Sequence, residues 1–245
     1  LDLMIYRTKL EMPDKELRDA RIKEMHSQLV QSPSGDWDAL RDMEDALLES
    51  MADATAGLTR MQLENVLCMS LASKKTLDVD YILSEKKKLV EQAGFKMTRP
   101  SVGFEMIGGL TPLKEWSARL RKRFTQAARD YGFPRYPRGL LMAGVPGCGK
   151  SAIAQALANE WDMNLLTVEA TDLKGSLVGE SEAKVQRLLS TARAAAPIIV
   201  FVDEAEKLLG KSEGIHDGGA HDAVLGQFLS FMQEDDSGVF FVFTA

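Results

Sequence analysis

Residues 144–151 read Gly-Val-Pro-Gly-Cys-Gly-Lys-Ser and fit the pattern G-x-x-x-x-G-K-[ST]. An apolar run, Leu140–Ala143, precedes them, and the pattern of an amphipathic helix follows at 149–161. Glycines allow the backbone N–H groups of such a loop to curl around phosphate oxygens, and the helix N-terminus adds its positive dipole end. This strand, loop and helix therefore predict a phosphate-binding loop in an α/β fold.

Each side chain of this loop has a predicted role. Lys150 can reach the β- and γ-phosphates of a nucleotide, and the hydroxyl of Ser151 can ligate Mg²⁺. The residues predicted to contact the nucleotide here are Pro146, Gly147, Cys148, Gly149, Lys150, Ser151 and Ala152.

A second motif pairs an apolar strand with two carboxylates. Ile198–Val202 is followed directly by Asp203 and Glu204, and 53 residues separate Lys150 from Asp203. In an α/β sheet, ligands bind at the carboxyl ends of the strands. We expect Asp203 to hold Mg²⁺ through a water molecule and Glu204 to orient and polarise the attacking water. The predicted catalytic residues are therefore Glu204 and, through its reach to the phosphates, Lys150.

The rest of the C-terminal part continues the same alternation. Leu165–Val168 and Val239–Phe243 predict two further strands, and the periodicity predicts helices near 180–196 and 220–234. Continuous apolar strands that alternate with helices predict a parallel sheet covered on both faces. We assign residues 101–245 to this α/β domain.

The N-terminal part has a different texture. Residues 11–94 predict an all-helical domain, with helices that start near Asp14, Trp37, Thr59 and Asp80. The domain is assigned to residues 1–100. Its methionines are interpreted as core filler.

Composition excludes several classes of protein. The chain of 245 residues is 45% hydrophobic and 27% charged, which excludes disordered, collagenous and disulfide-stapled chains. Its net charge of −6 is divided evenly, with −3 on each side of Pro100, so no basic domain is present to neutralise a nucleic-acid backbone. A basic cluster, Arg119, Arg121, Lys122 and Arg123, is interpreted as a solvated helix face, with a patch for a partner or nucleic acid as the alternative. The longest apolar run, Ala194–Val202, has nine residues, whereas a membrane span needs about 20.

The two cysteines, Cys68 and Cys148, are far apart in the sequence. We expect two buried thiols in a reducing compartment rather than a disulfide. The three histidines show no ligand spacing with them, so a zinc site is not expected.

Four motifs together resemble the AAA family of ATP-driven remodelling machines, over about Phe104–Ala245. They are the phosphate loop, Asp203-Glu204, Ile107-Gly108-Gly109-Leu110 and Val178-Gly179-Glu180-Ser181-Glu182. More narrowly, the chain is similar to the stand-alone AAA proteins of chloroplast genomes and cyanobacteria, with bacterial and phage relatives. The resemblance implies ATP and Mg²⁺ as ligands, a P-loop parallel sheet flanked by helices, and a homo-oligomer, expected to be a hexamer.

The resemblance also implies roles for individual positions. Ile107 and Gly108 would lie against the adenine. Residues 172–179 match the first pore loop, which grips a threaded polypeptide in translocating members, but Leu177 stands where those usually carry an aromatic residue. Residues 210–220 match the second pore loop. The helical domain resembles the lid of a preceding AAA module, the alternative being an unrelated bundle or adaptor.

Two functions from different classes follow. The first is an Mg²⁺-dependent ATPase that remodels a protein partner, in the cytoplasm or, for a chloroplast-encoded chain, in the plastid stroma. The second is an ATP-regulated oligomeric scaffold with little or no hydrolysis, and Glu204 favours the first. Because the sequence starts at Leu1 and ends in a strand-like stretch, we expect the tail of one module followed by most of the core of the next, with the sensor, arginine finger and lid of that core beyond Ala245.

Overall fold

The computed structural model of the chain describes residues 13, 15–32, 38–41, 43–56, 58–133, 135–175, 179–209 and 218–245. The chain divides into two compact units, Leu1–Ser84 and Glu85–Ala245.

The first unit is helical over its described residues, as predicted. Its helices are α1 (Lys15–Val30), α2 (Asp38–Arg41), α3 (Asp45–Ala54), α4 (Arg60–Lys74) and α5 (Val79–Gln92), the last of which continues into the second unit. One helix predicted from Trp37 is instead two, α2 and α3, and Trp37 itself lies outside the described residues.

The start of α4 was predicted correctly from its cap. The side chain of Thr59 accepts a hydrogen bond from the Gln62 N–H (3.3 Å), and the Thr59 N–H donates to Oε1 of Gln62 (2.9 Å). This reciprocal pair is a capping box, which satisfies two backbone donors at the helix start.

The core of the helical unit contains fewer methionines than predicted. Met51 is fully buried, but Met61 and Met69 are 74% and 50% exposed. The largest fully buried side chains of this unit are Ile22, Leu40, Met51, Leu58, Leu63, Leu67 and Ile82. Branched aliphatic residues therefore fill the core, and the interpretation of the methionines as core filler is wrong for Met61 and Met69.

The second unit is built on a five-stranded sheet. Its strands are β1 (Lys96–Thr98), β2 (Gly139–Met142), β3 (Asn164–Glu169), β4 (Ile198–Asp203) and β5 (Val239–Thr244), in the order β1-β3-β4-β5-β2. The last four are parallel, as predicted, while β1 pairs antiparallel with β3 at the edge. Sequence reasoning missed β1 because three residues are too short to show a period.

Helices cover the sheet. They are α6 (Thr111–Arg121), α7 (Gln126–Asp130), α8 (Lys150–Glu160), α9 (Ala170–Leu173), α10 (Glu180–Ala195), α11 (Glu206–Leu209) and α12 (Gly218–Glu234), with short 3₁₀ turns at Phe104–Met106 and Lys122–Phe124. The predicted helices at 149–161, 180–196 and 220–234 are thus present within one or two residues.

Two cores lie on opposite faces of the sheet. Along β4, Ile198 and Val200 pack in a cluster with residues of α10 and α12, while Ile199 packs in a cluster with residues of α8. This alternation is the period of two that a pleated strand imposes. Both faces are buried, which explains why β4 is apolar without interruption.

Candidate functional site

The predicted phosphate loop joins the end of β2 to the start of α8. Gly147 and Gly149 have φ angles of +80° and +91°, the left-handed region that other residues occupy at a cost. A Cβ atom at either position would meet no atom within 4 Å. The backbone angle, rather than crowding, therefore requires glycine here. Residues 143–149 are exposed, so the loop is open to a ligand.

Lys150 is the first residue of α8 and folds back over its own loop. Its Nζ atom donates hydrogen bonds to the carbonyl oxygens of Gly144 (2.6 Å) and Val145 (3.4 Å). The ammonium is thereby held across the mouth of the loop, next to the first-turn N–H groups of α8, which have no partners within the helix. Positive charge and backbone donors are concentrated at this point.

The other predicted loop residues surround this point. Pro146 and Cys148 are exposed in the loop, Ser151 is exposed in the first turn of α8, and Ala152 is half-buried behind it. The expectation of buried thiols is wrong, since both Cys68 and Cys148 are exposed and free. The Sγ atom of Cys148 lies 3.2 Å from the place that a Cβ atom at position 144 would occupy. The loop therefore also limits the size of the side chain at position 144.

Asp203 is half-buried at the carboxyl end of β4. Its Oδ1 atom accepts hydrogen bonds from the hydroxyl of Thr244 (2.5 Å) and from the Glu204 N–H (3.1 Å). Both hydrogen bonds fall on the same oxygen, so the carboxylate is held in one orientation and Oδ2 is the oxygen suited to another ligand.

Glu204 is exposed and occupies a strained backbone position. Its φ angle is +54°, which is uncommon for a residue with a Cβ. Its Oε2 atom lies 2.6 Å from Nζ of Lys207, and this hydrogen bond raises the pKa of Lys207 above its usual value. The carboxylate is thus tied to the next helix, α11.

Thr244, the last residue of β5, was not predicted as a site residue. It is 1% exposed, and its hydroxyl contacts both Asp203 and the Glu204 N–H (3.0 Å). The available signal was weak: Thr244 is the first polar residue after the apolar run Val239–Phe243. Only the pairing of β5 with β4 brings it to the carboxylates.

The two predicted motifs reach the same edge of the sheet but are not on neighbouring strands. β5 lies between β2 and β4, with Met142 paired to Thr244 and Val202 paired to Phe243. Ala245 extends this pairing, since its N–H donates to the Met142 carbonyl (3.0 Å) and its carbonyl accepts from the Gly144 N–H (3.1 Å). One strand, β5, therefore separates the loop from the acidic pair, and it lies about 5 Å from each of its two neighbouring strands.

Ile107 and Gly108 follow the 3₁₀ turn Phe104–Met106, which packs against α8. Ile107 is half-buried beside the apolar cluster of α8, whereas a Cβ at Gly108 would meet no atom within 4 Å. Lys114 stabilises this segment by donating to the carbonyls of Phe104 (2.8 Å) and Ile107 (2.6 Å), a role that sequence reasoning missed. The segment is thus joined to the helix that begins with Lys150.

Two predicted substrate-contacting segments lie partly outside the described residues. Residues 176–178 of the first pore loop, which include Leu177, and residues 210–217 of the second fall there. Arg193, on the helix between the two motifs, pairs with Asp235 (2.6 Å) and lies over the ring of Phe231 (4.8 Å).

In the basic cluster, Arg119, Arg121 and Lys122 are exposed. Arg123 instead lies over the ring of Phe133, with 4.6 Å between its guanidinium carbon and the ring centroid.

The donor set fits a nucleotide with Mg²⁺. The open glycine loop and Lys150 suit phosphate oxygens. The hydroxyl of Ser151 is a hard oxygen ligand of the kind that Mg²⁺ prefers, and Oδ2 of Asp203 is suited to hold Mg²⁺ through a water molecule. Among the described residues, no three His, Cys, Asp or Glu side chains converge as a ready-made metal cluster. Mg²⁺ commonly keeps waters and shares phosphate oxygens, so two protein oxygens are sufficient.

Residues 140–245, which include both motifs, match the family described as ATPase family associated with various cellular activities (AAA). The chain belongs to the AAA ATPase family. Residues 20–93 match a second description, SpoVK-like AAA ATPase, second domain.

This AAA protein matches several relatives over most of its own length. It is 36% identical over 208 residues to the "Uncharacterized AAA domain-containing protein ycf46" of Trieres chinensis. This alignment covers 83% of this chain and 41% of the relative. The ycf46 protein of Guillardia theta is 35% identical over 202 residues, or 81% of this chain and 40% of the relative. The "Cell division cycle protein 48 homolog" of Archaeoglobus fulgidus is 30% identical over an alignment of 251 positions, gaps included, which covers 89% of this chain and 32% of the relative. The chain thus spans about two fifths of the length of the ycf46 proteins that it matches.

Within the described ranges, the AAA protein has no helix that is both long and apolar enough to cross a bilayer.

Proposed function

We propose that this AAA protein binds ATP with Mg²⁺ at the carboxyl edge of its sheet and hydrolyses it to ADP and phosphate to remodel a protein partner. One observation carries the proposal: the loop at Lys150 and the pair Asp203-Glu204 lie at the same sheet edge with only β5 between them.

Binding rests on the loop. The N–H groups around Gly147 and Gly149 and the N-terminus of α8 donate to the phosphates. Lys150 exchanges its carbonyl partners, Gly144 and Val145, for the β- and γ-phosphate oxygens. Pro146, Cys148 and Ala152 complete the loop wall, and Ile107 and Gly108 receive the adenine.

Ser151 and, through a water molecule, Asp203 hold Mg²⁺, which when bound neutralises charge on the phosphates. The Asp203 carboxylate is suited to this role because both hydrogen bonds that it accepts, from Thr244 and from the Glu204 N–H, are on Oδ1.

Glu204 orients the attacking water and accepts its proton as the oxygen forms a bond to the γ-phosphorus. The bond to the bridging oxygen of ADP breaks in the same displacement, and Lys150 stabilises the charge that develops on the phosphate.

The coupling of hydrolysis to work is proposed from the family. Residues 172–179 and 210–220 would face the protein partner, and a homo-oligomer, a hexamer, would bring a neighbouring subunit to each site. We propose that residues 101–245 are the ATPase core, whose sheet the short strand β1 joins at one edge. The helices that precede β1 within residues 1–100 are proposed as the lid of a preceding AAA module, which the match of 20–93 to the second domain of an AAA ATPase supports. The proposed location is the cytoplasm or the plastid stroma.

Steady-state phosphate release by the full-length protein tests the proposal. Glu204→Gln removes the proton acceptor but keeps the shape, and we expect at least a hundredfold loss of rate with ATP binding retained. Glu206→Gln is the matched control, because Glu206 is an exposed carboxylate two residues away that we assign no role. If wild type releases phosphate no faster than Glu204→Gln while binding ATP normally, the protein is a nucleotide-regulated scaffold and the hydrolase proposal fails.

A further inference from the structure

Three hydrogen bonds fasten the acidic turn to one residue, Thr244. Its hydroxyl donates to Oδ1 of Asp203 (2.5 Å) and accepts from the Glu204 N–H (3.0 Å), and its carbonyl accepts from the Ala205 N–H (2.8 Å). A threonine hydroxyl has one proton to give, and here it goes to the carboxylate.

Burial makes these bonds consequential. Thr244 is 1% exposed, so water does not readily replace a lost partner, and a bond to an ionised carboxylate is among the stronger hydrogen bonds in proteins. The proton from Thr244 occupies Oδ1 and so selects the rotamer of Asp203.

The backbone of Glu204 needs such an anchor. At φ = +54° the residue is strained, and strain persists only where surrounding contacts over-determine the conformation. The Glu204 N–H donates to two acceptors, Oγ1 of Thr244 and Oδ1 of Asp203. The hydroxyl of Thr244 is the first of these acceptors, and its own hydrogen bond to Oδ1 holds the second in place.

The same strand also touches the phosphate loop. Ala245, next to Thr244, bonds to Met142 at the end of β2 and to Gly144 at the start of the loop. Thr244 therefore stands at the junction of the two halves of the site.

We propose that Thr244 is a positioning residue for hydrolysis. Its hydroxyl orients the Asp203 carboxylate toward Mg²⁺ and holds the turn from which Glu204 reaches the water. This inference rests on the proposed function and adds the residue that couples metal binding to water activation.

The test compares three variants of the full-length protein. Thr244→Val keeps the branched shape without the hydroxyl, Thr244→Ser keeps the hydroxyl without the methyl, and Thr191→Val removes a buried threonine hydroxyl that bonds to Arg187 in α10 (2.8 Å). The measurements are kcat, KM for ATP, the Mg²⁺ concentration at half-maximal rate, and the Kd of a non-hydrolysable ATP analogue with Mg²⁺ and with EDTA.

For Thr244→Val we expect kcat to fall at least tenfold and half-maximal Mg²⁺ to rise severalfold. The Kd in EDTA should stay within twofold of wild type, because the phosphate loop is intact, while the tightening of Kd by Mg²⁺ should shrink. Thr244→Ser should recover most of the loss, and Thr191→Val should behave as wild type.

Two results would overturn the proposal. One is a folded Thr244→Val protein whose kcat and Mg²⁺ dependence match wild type. The other is an equal loss of binding in EDTA, which would indicate a merely structural role. Absence of hydrolysis in wild type would instead overturn the proposed function, and the effect of Mg²⁺ on the analogue Kd would still test Thr244.

If Thr244→Val does not fold, amide hydrogen exchange of wild type and Thr244→Ser decides the question. We expect slow exchange at Glu204 and Ala205 in both. Exchange at the rate of an unstructured peptide would contradict the anchoring role.

Discussion

The Nζ atom of Lys207 lies 2.6 Å from Oε2 of Glu204 across the first turn of α11. Both side chains are about half exposed, so the pair is accessible to solvent. The carboxylate that we assign to water activation is therefore held on one oxygen by a lysine three residues along the chain, while its backbone is held by Thr244.

The first prediction concerns the titration of Lys207. Its hydrogen bond to Glu204 raises its pKa, so the contribution of the pair to stability is fully present below the ordinary lysine value and is lost as the pH rises through the raised value. In Glu204→Gln the pKa of Lys207 should fall back toward its ordinary value.

The measurement is the pH dependence of Lys207 acylation, followed by mass spectrometry, because only the neutral amine reacts. The midpoint should move to lower pH in Glu204→Gln. Lys184, which pairs with Glu180 (3.3 Å), is the internal control and should not move. An unchanged midpoint for Lys207 would mean that the pair does not persist in solution.

The second prediction concerns the charge at the phosphate loop. Lys150→Met should weaken ATP binding by about 10- to 100-fold, the usual range for loss of a charged hydrogen bond of about 1.5–3 kcal/mol. Titration with a fluorescent ATP analogue measures it. Lys96→Met, a change of the same kind at an exposed residue of the edge strand β1, should bind ATP within twofold of wild type. Equal affinity of the Lys150 variant would place the phosphates elsewhere.

The third prediction contrasts two glycines. Gly149→Ala has room for its Cβ but a φ of +91°, so it should destabilise the protein by about 1–2 kcal/mol and weaken nucleotide binding. Gly226→Ala, in an exposed interior position of α12, also has room and should instead stabilise by about 0.5–1 kcal/mol.

Urea unfolding of the two glycine variants beside wild type measures both signs. If both alanines shift the midpoint in the same direction, the backbone angle is not what distinguishes the two sites.

The fourth prediction concerns the end of α12. Asp235 is 5% exposed and receives Arg193 (2.6 Å) together with the Ser237 N–H (3.0 Å) and hydroxyl (2.5 Å). Asp235→Ala leaves these donors without a partner and should cost about 2–4 kcal/mol.

Asp236→Ala is the matched control for Asp235. Asp236 is 40% exposed and pairs with Arg129 at 3.2 Å, so its loss should cost about 1 kcal/mol or less. Chemical denaturation measures the free energy of unfolding of the two variants. An equal loss in both would contradict the prediction that burial makes the Asp235 contacts more stabilising than those of Asp236.

Much of the fold was predictable because its signals are local. The glycine loop between a strand and a helix, the apolar run Ile198–Val202 and the cap at Thr59 each lie within a few residues, and the structure has the predicted elements at those positions. The short edge strand β1 was missed because three residues are too few to show a period, and the four residues of α2 were likewise merged with α3.

The candidate site was predictable in the same measure. Lys150, Asp203 and Glu204 lie in short motifs of fixed spacing, and such motifs indicate phosphate and metal binding. The exposure of Cys148 was not foreseen, because burial of a small side chain depends on which way the loop turns.

The sequence by itself determined a glycine-rich loop between a strand and a helix, a strand that ends in two carboxylates, and helices that cover a parallel sheet. Only the tertiary structure decided that β5 stands between the two motifs, that Thr244 holds the acidic pair, and that the next residue, Ala245, bonds to the start of the loop. Strand order and pairing arise from contacts between residues about 40 to 100 positions apart, here Asp203 with Thr244 and Met142 with Thr244. A local sequence pattern does not predict such contacts, since they form only when the whole sheet assembles.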